Sequence, residues 1–219
     1  VTRVTETLLA VACVCVVSLL TARPEAVAKG YFAKVDQVIR LAASHAAEVL
    51  RTEESEADFQ RRQMQLLGEI SALEGLRRHL YFDAPRLRSA DNLVLLLGNQ
   101  LMLLTSRLTA LRHQRELLIE RWEGDLPLEV QQLRAEELAL LEQLAQQGRA
   151  LSGADRQRFV TLQQQFEALA YKAEQQTENM SATLRSQAWA LRWEQARLLQ
   201  QLEQILELSD AIQEGRPAS

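Results

Sequence analysis

Residues 92–122 read NLVLLLGNQLMLLTSRLTALRHQRELLIERW. Leu97, Leu101, Leu104, Leu108, Leu111 and Leu118 fall three, four or seven apart. That spacing puts them on one face of an α-helix. Leu93, Val94, Leu95 and Leu96 widen the seam, so this helix is expected to be contacted from several sides. Arg107 and Arg112 interrupt the apolar run, and Asn99 and Gln100 sit inside it. The stretch therefore reads as a core helix and not as a membrane span.

The same period continues outward in both directions. Tyr31, Val35, Val38, Ala42, Ala46 and Val49 form one stripe on a helix beginning near Pro24 and ending near Arg51. Thr52–Ser55 is a polar joint, and a second stripe follows at Phe59, Leu66, Ile70, Leu73, Leu76 and Leu80. Pro85 forces Ala84 out of the helical region, which ends that helix near Phe82. Downstream, Pro127 opens a helix that Gly148 ends, with Val130, Leu133, Leu140, Leu141 and Leu144 inward. Ser152 and Asp155 form a variant capping box. The last helical stretch is expected from Ala154 to Ile212, bent around Thr177–Ser181.

The totals agree with this pattern. The chain has 219 residues, 47% hydrophobic, with 8 Gly and 4 Pro, so breakers are too few for a β fold with many turns. The formal net charge of -4 gives no reason to expect a nucleic-acid partner. The expected fold class is all-α: one N-terminal transmembrane helix over residues 1–22, then an antiparallel long-helix bundle or hairpin over 23–219.

The leading segment, VTRVTETLLAVACVCVVSLLTARPEAVAKG, admits two readings. As a signal peptide it has a small-x-small site at Ala26-Val27-Ala28, but Glu6 offsets Arg3 in the leading region. As a span it has about 19 helical residues, roughly 28 Å, against a hydrocarbon core of about 30 Å. Arg3 alone precedes the run, whereas Arg23, Lys29, Lys34 and Arg40 follow it. That asymmetry favours a retained span with its C-terminal side in the cytoplasm. Arg3 and Glu6 stand at i and i+3, where they can pair at the interface or face other helices. Cys13 and Cys15 read as small apolar residues of the run.

Site chemistry is sparse. His45, His79 and His113 lie on different helices without partners at ligand spacing, so no metal and no cofactor is expected. No nucleophile stands in a recognisable setting, so an enzyme is not expected. Arg77, Arg78, His79, Arg86 and Arg88 surround the Pro85 turn. Asp83, Pro85, Arg86 and Arg88 are its candidate residues, as a structural turn or a corner for an anion. The plainer alternative is a solvated corner with ion pairs to Asp83 or Asp91. Of Trp189 and Trp193, one is expected in the core and the other covering it. Glu137, beside Leu141, reads as surface.

Three stretches together carry a resemblance. RVTETLLAVACVCVVSLL followed by Arg23-Pro24 resembles the last span of the first membrane half in the fusaric acid resistance family. LEGLRRHLYFDAPRLRSADNLVLLLGNQLMLLTSRLTALRH resembles that family's soluble region, where an aromatic-acid-x-Pro-x-Leu-Arg turn precedes a Leu-rich helix; here the turn is Phe82–Arg88. LLQQLEQILELSDAI is similar to the helix leading toward the second membrane half. The resemblance implies one span plus the cytoplasmic helical region of an inner-membrane exporter of aromatic carboxylic acids or related compounds. It implies the lipid bilayer and the transporter's remaining spans as partners, with a homo-oligomer and a periplasmic membrane-fusion protein as further ones. A secreted periplasmic helical adaptor, cut after Ala28, is the alternative.

Overall fold

A computed structural model of the chain describes residue 11 and residues 24–51, 55–83, 90–119, 127–175 and 182–215. The expected span over 1–22, Val11 apart, lies outside the described residues. Among the described residues there are six α-helices, no strand, and one 3₁₀ turn at Gly148–Ala150. The helices are α1 (Pro24–Leu50), α2 (Glu56–Asp83), α3 (Asp91–Ile119), α4 (Leu128–Gln147), α5 (Gly153–Gln175) and α6 (Ala182–Gln213).

Start signals act where side-chain oxygens meet free backbone donors. Ser55 Oγ accepts from the Asp58 N–H at 3.1 Å and donates to Asp58 Oδ2 at 2.7 Å. Ser152 and Asp155 repeat the device at 3.2 and 2.6 Å. Each satisfies one of the N–H groups left free in a first turn. α2 runs to Asp83, one residue beyond the expected stop. The Pro85 turn itself lies outside the described residues.

The expected seams are the core. Tyr31, Val35, Val38, Ala42, Ala46 and Val49 are buried, as are all six leucines of the α3 seam. Ala42, Ala43, Ala46 and Ala47 make α1 thin on its inner side, so neighbouring helices approach closely. α1 packs on α2 and α4, and α6 packs on α3 and α5. The broadening of α3 is partial: Val94 is buried and Leu93 half-buried, but Leu95 and Leu96 are exposed, with Met102 and Leu103.

Side-chain pairs between helices set the directions. Lys34–Glu69 and Glu48–Arg62 run α1 antiparallel to α2. Arg77–Asp91 and Glu56–Arg112 do the same for α2 and α3. Arg107–Glu194, with Gln201 donating to the Gln100 carbonyl, sets α3 against α6.

The last helical stretch departs from expectation. Residues 154–212 are not a single bent helix, because α5 and α6 fold back on each other. Arg156 pairs with Asp210, and Arg192 donates to the Leu169 carbonyl at 2.9 Å. A helix carrying both Phe159–Phe166–Leu169 and Leu198–Leu202–Ile205 on one stripe buries that stripe most simply by doubling on itself. The expected bend, Thr177–Ser181, lies outside the described residues.

The first and last helices meet at one end. Asp36 of α1 accepts from the Arg149 backbone N–H at 2.7 Å, and the Arg149 side chain reaches Gln213 and Asp210 of α6. Gly148 makes this corner. Its φ is 58°, its N–H bonds the Leu144 carbonyl, and a Cβ there would collide with the Asp36 carboxylate and the Arg40 guanidinium. Gly148→Ala is expected to destabilise the chain by more than about 1 kcal/mol, because it adds steric conflict to an unfavourable φ. Urea unfolding checks this, and an unchanged midpoint would reject the role.

Candidate functional site

Most of the candidate site residues named from the sequence are not among the described side chains. Arg3, Glu6, Pro85, Arg86, Arg88 and the side chain of Asp83 lie outside the described residues, as does the side chain of His79. Arg77 is engaged with Glu74 at 2.9 Å and Asp91 at 3.5 Å, and Arg78 is exposed. Among the described residues no group of His, Cys, Asp and Glu is arranged to hold a metal. The tryptophans differ from expectation. Trp189 and Trp193 stack at 6.0 Å and 7°, and neither is fully buried. Tyr171 meets Trp193 edge-on at 6.5 Å, and the Arg197 guanidinium covers Trp193 at 4.9 Å.

The polar chemistry lies instead between the packed helices. Glu137, expected at the surface, is completely buried. Its Oε2 accepts from Gln195 Nε2 of α6 at 2.6 Å, and its Oε1 has no partner among the described residues. Burial pushes its carboxyl up to about 8, against smaller opposing pulls from Gln195 and Arg134. A register clue was available. Leu133, Glu137, Leu140, Leu141 and Leu144 share the inward side of α4. Residue type, not position, sent Glu137 to the surface.

His45 is a second buried titratable group. One ring nitrogen, Nε2, lies 3.0 Å from Gln63 Oε1, while Gln63 Nε2 donates to the Thr105 carbonyl at 2.8 Å. The atom facing the ring is the Gln63 carbonyl oxygen, which only accepts, so His45 Nε2 carries the hydrogen and donates it. Phe59 lies against the ring at 5.0 Å. Burial draws the histidine down to about 4, outweighing the Gln63 bond. His45 is thus held in the core as a neutral ring.

Beside α3 and α6 lies an open groove of about 480 Å³. Gln100, Gln200, Gln201 and Gln204 line it, with Arg107 held by Glu194 at 2.9 Å. Arg107 also donates to Gln201 Oε1 at 2.8 Å. Glutamines and an ion-paired arginine suit hydrogen-bonding ligands more than a fatty one. α3 is the one described helix long and apolar enough to cross a membrane by length and composition, with 39% of its most apolar window buried. Its arginines are nevertheless paired with neighbouring helices. Arg112 joins Glu56 and Glu116 and lies over Phe59 at 4.5 Å.

The family comparison decides what this helical array is part of. The model of the fusaric acid resistance protein family matches residues 1–219. The chain belongs to that family. No curated protein and no solved structure matches the chain. Fusaric acid resistance family members are membrane proteins of transport and not enzymes, so membership points to a transport-related function and a membrane location. The Leu-rich stretch that follows Pro85 in sequence is α3, whose six seam leucines are buried.

His45 provides a pH test. Its folded value lies below the usual 6.5, so the unfolded chain takes up a proton first as pH falls. Stability supported by neutral His45 is present above 6.5 and lost toward 4. Urea unfolding at pH 7 and pH 5 should show His45→Gln losing less than wild type on acidification, by up to about 2 kcal/mol. Equal losses would show that His45 does not titrate as described.

Proposed function

We propose that the chain forms part of an inner-membrane transporter exporting aromatic carboxylic acids or related organic compounds. Residues 1–22 supply one span, and α1–α6 form a helical unit on the cytoplasmic side with a structural or coupling role. The family match over residues 1–219 carries the reading. The excess of Arg23, Lys29, Lys34 and Arg40 after the apolar run supports the orientation. The helix geometry supports it too. An even number of antiparallel helices brings α6 back to the end where α1 starts, as a unit held between two membrane segments requires. The uncharged outer side of α3, with Leu95, Leu96, Met102 and Leu103 exposed, favours contact with further copies or with the transporter's other segments. A periplasmic membrane-fusion protein would join from the opposite side.

A reporter that is active only in the cytoplasm, fused after Ser219, should be active, and one active only in the periplasm should be silent. The reverse pattern rejects the orientation. Sequencing the N-terminus of the purified chain tests the span itself. A mature chain starting at Lys29 would overturn it in favour of the exported adaptor.

A further inference from the structure

Glu137 is an unusual choice for its position. A leucine or glutamine there would fill the same space without a buried acid, and a buried carboxylate without a charged partner costs several kcal/mol. The carboxyl stands where two groups of helices meet. α4 packs on α1 and α5, whereas α6 packs on α3 and α5. The 2.6 Å bond from Gln195 to Glu137 reaches across from one group to the other, and both side chains are inside, at 5% and 0% exposure.

The surroundings offer an ionised Glu137 little. Among the described residues Arg134, one turn earlier on α4, is the one charge that acts on it, and its guanidinium is spent on the Leu50 carbonyl at the end of α1. Just past the end of α1, Arg51 is engaged with Glu48 and Glu142. From α3, Arg115 donates to the carbonyls of Val49 and Arg51. From α5, Lys172 pairs with Glu129 at 3.1 Å, and from α6, Arg192 donates to the Leu169 carbonyl. Gln195 contributes only a neutral amide.

We infer that the Glu137–Gln195 contact is a proton-held latch joining α4 to α6. With a proton on Oε1 the carboxyl is neutral, Oε2 accepts from Gln195, and the helices stay joined through the core. When that proton passes to water, the carboxylate is left fully buried with one amide donor. Solvent reaches it only if α4 and α6 part. A carboxyl pushed up to about 8 puts this release just above neutrality. The sign follows from linkage. The folded chain holds the proton where the unfolded chain has lost it, so stability falls as pH rises from the ordinary glutamate range toward 8. The inference stands on the helix contact alone and is independent of what the protein transports.

The test is hydrogen exchange of the full-length chain between about pH 6.5 and 9.5, corrected for the intrinsic rate and read separately over residues 133–141 and 191–199. Wild type should gain exchange in both segments together, in a one-proton step with its midpoint near pH 8. Glu137→Gln keeps a neutral side chain at every pH and should lack the step. A wild type without the step, or a Glu137→Gln chain with the same step, overturns the latch. Infrared spectroscopy of the wild type guards against a variant that fails to fold. A protonated-carboxyl band should persist at pH 7 and fade with a midpoint near pH 8. Its absence at pH 7 overturns the inference.

Discussion

The arrangement depends on guanidinium groups closing the C-terminal end of α1. The last carbonyls of a helix have no partner within it, and burying them bare costs more than most contacts return. Here Arg115 of α3 donates to the carbonyls of Val49 and Arg51, and Arg134 of α4 donates to that of Leu50. The cations also meet the negative end of the helix dipole. One helix end thus fixes where two others lie. At the far end the relation is inverted. Arg40 of α1 serves the carbonyls of Gln146 and Gln147, which end α4. The α1–α4 pair is fastened at both ends by charge-assisted bonds, and the alanine side of α1 lets the rest of the core close around it.

These fasteners explain what was legible and what was not. The seams were legible because period is local: six leucines of α3 and six apolar residues of α1 are all inside. Starts and stops at Ser55, Ser152 and Gly148 follow from chemistry within four residues. The arginine closures join residues far apart in sequence, such as Arg115 with Val49, and no spacing rule announces them. The reversal between α5 and α6 was hidden because 176–181 reads QTENMS, with neither Gly nor Pro to mark a break. Glu137 failed for another reason. Its register pointed inward while its charge pointed outward, and the burial of a neutralised acid is invisible to any rule based on residue type.

Polar groups in this core are therefore of two kinds. The arginines at helix ends place donors on backbone carbonyls of other helices and tie distant elements together. Glu137, His45 and Ser209 each keep an atom without a partner among the described residues. Buried groups of the second kind add little to stability, and natural chains retain them where a uniquely arranged or responsive interior is wanted. Glu137 and His45 respond in opposite directions, one opposing stability as protons become scarce and the other as they become plentiful.

Asp36 of α1 and Asp210 and Gln213 of α6 meet on one residue, Arg149, at the close of α4, so the first and last helices are coupled there. Strain on either of these helices passes first through the Asp36–Arg149–Asp210 corner. A torque on one connection is then shared with the other before it reaches the distal helices.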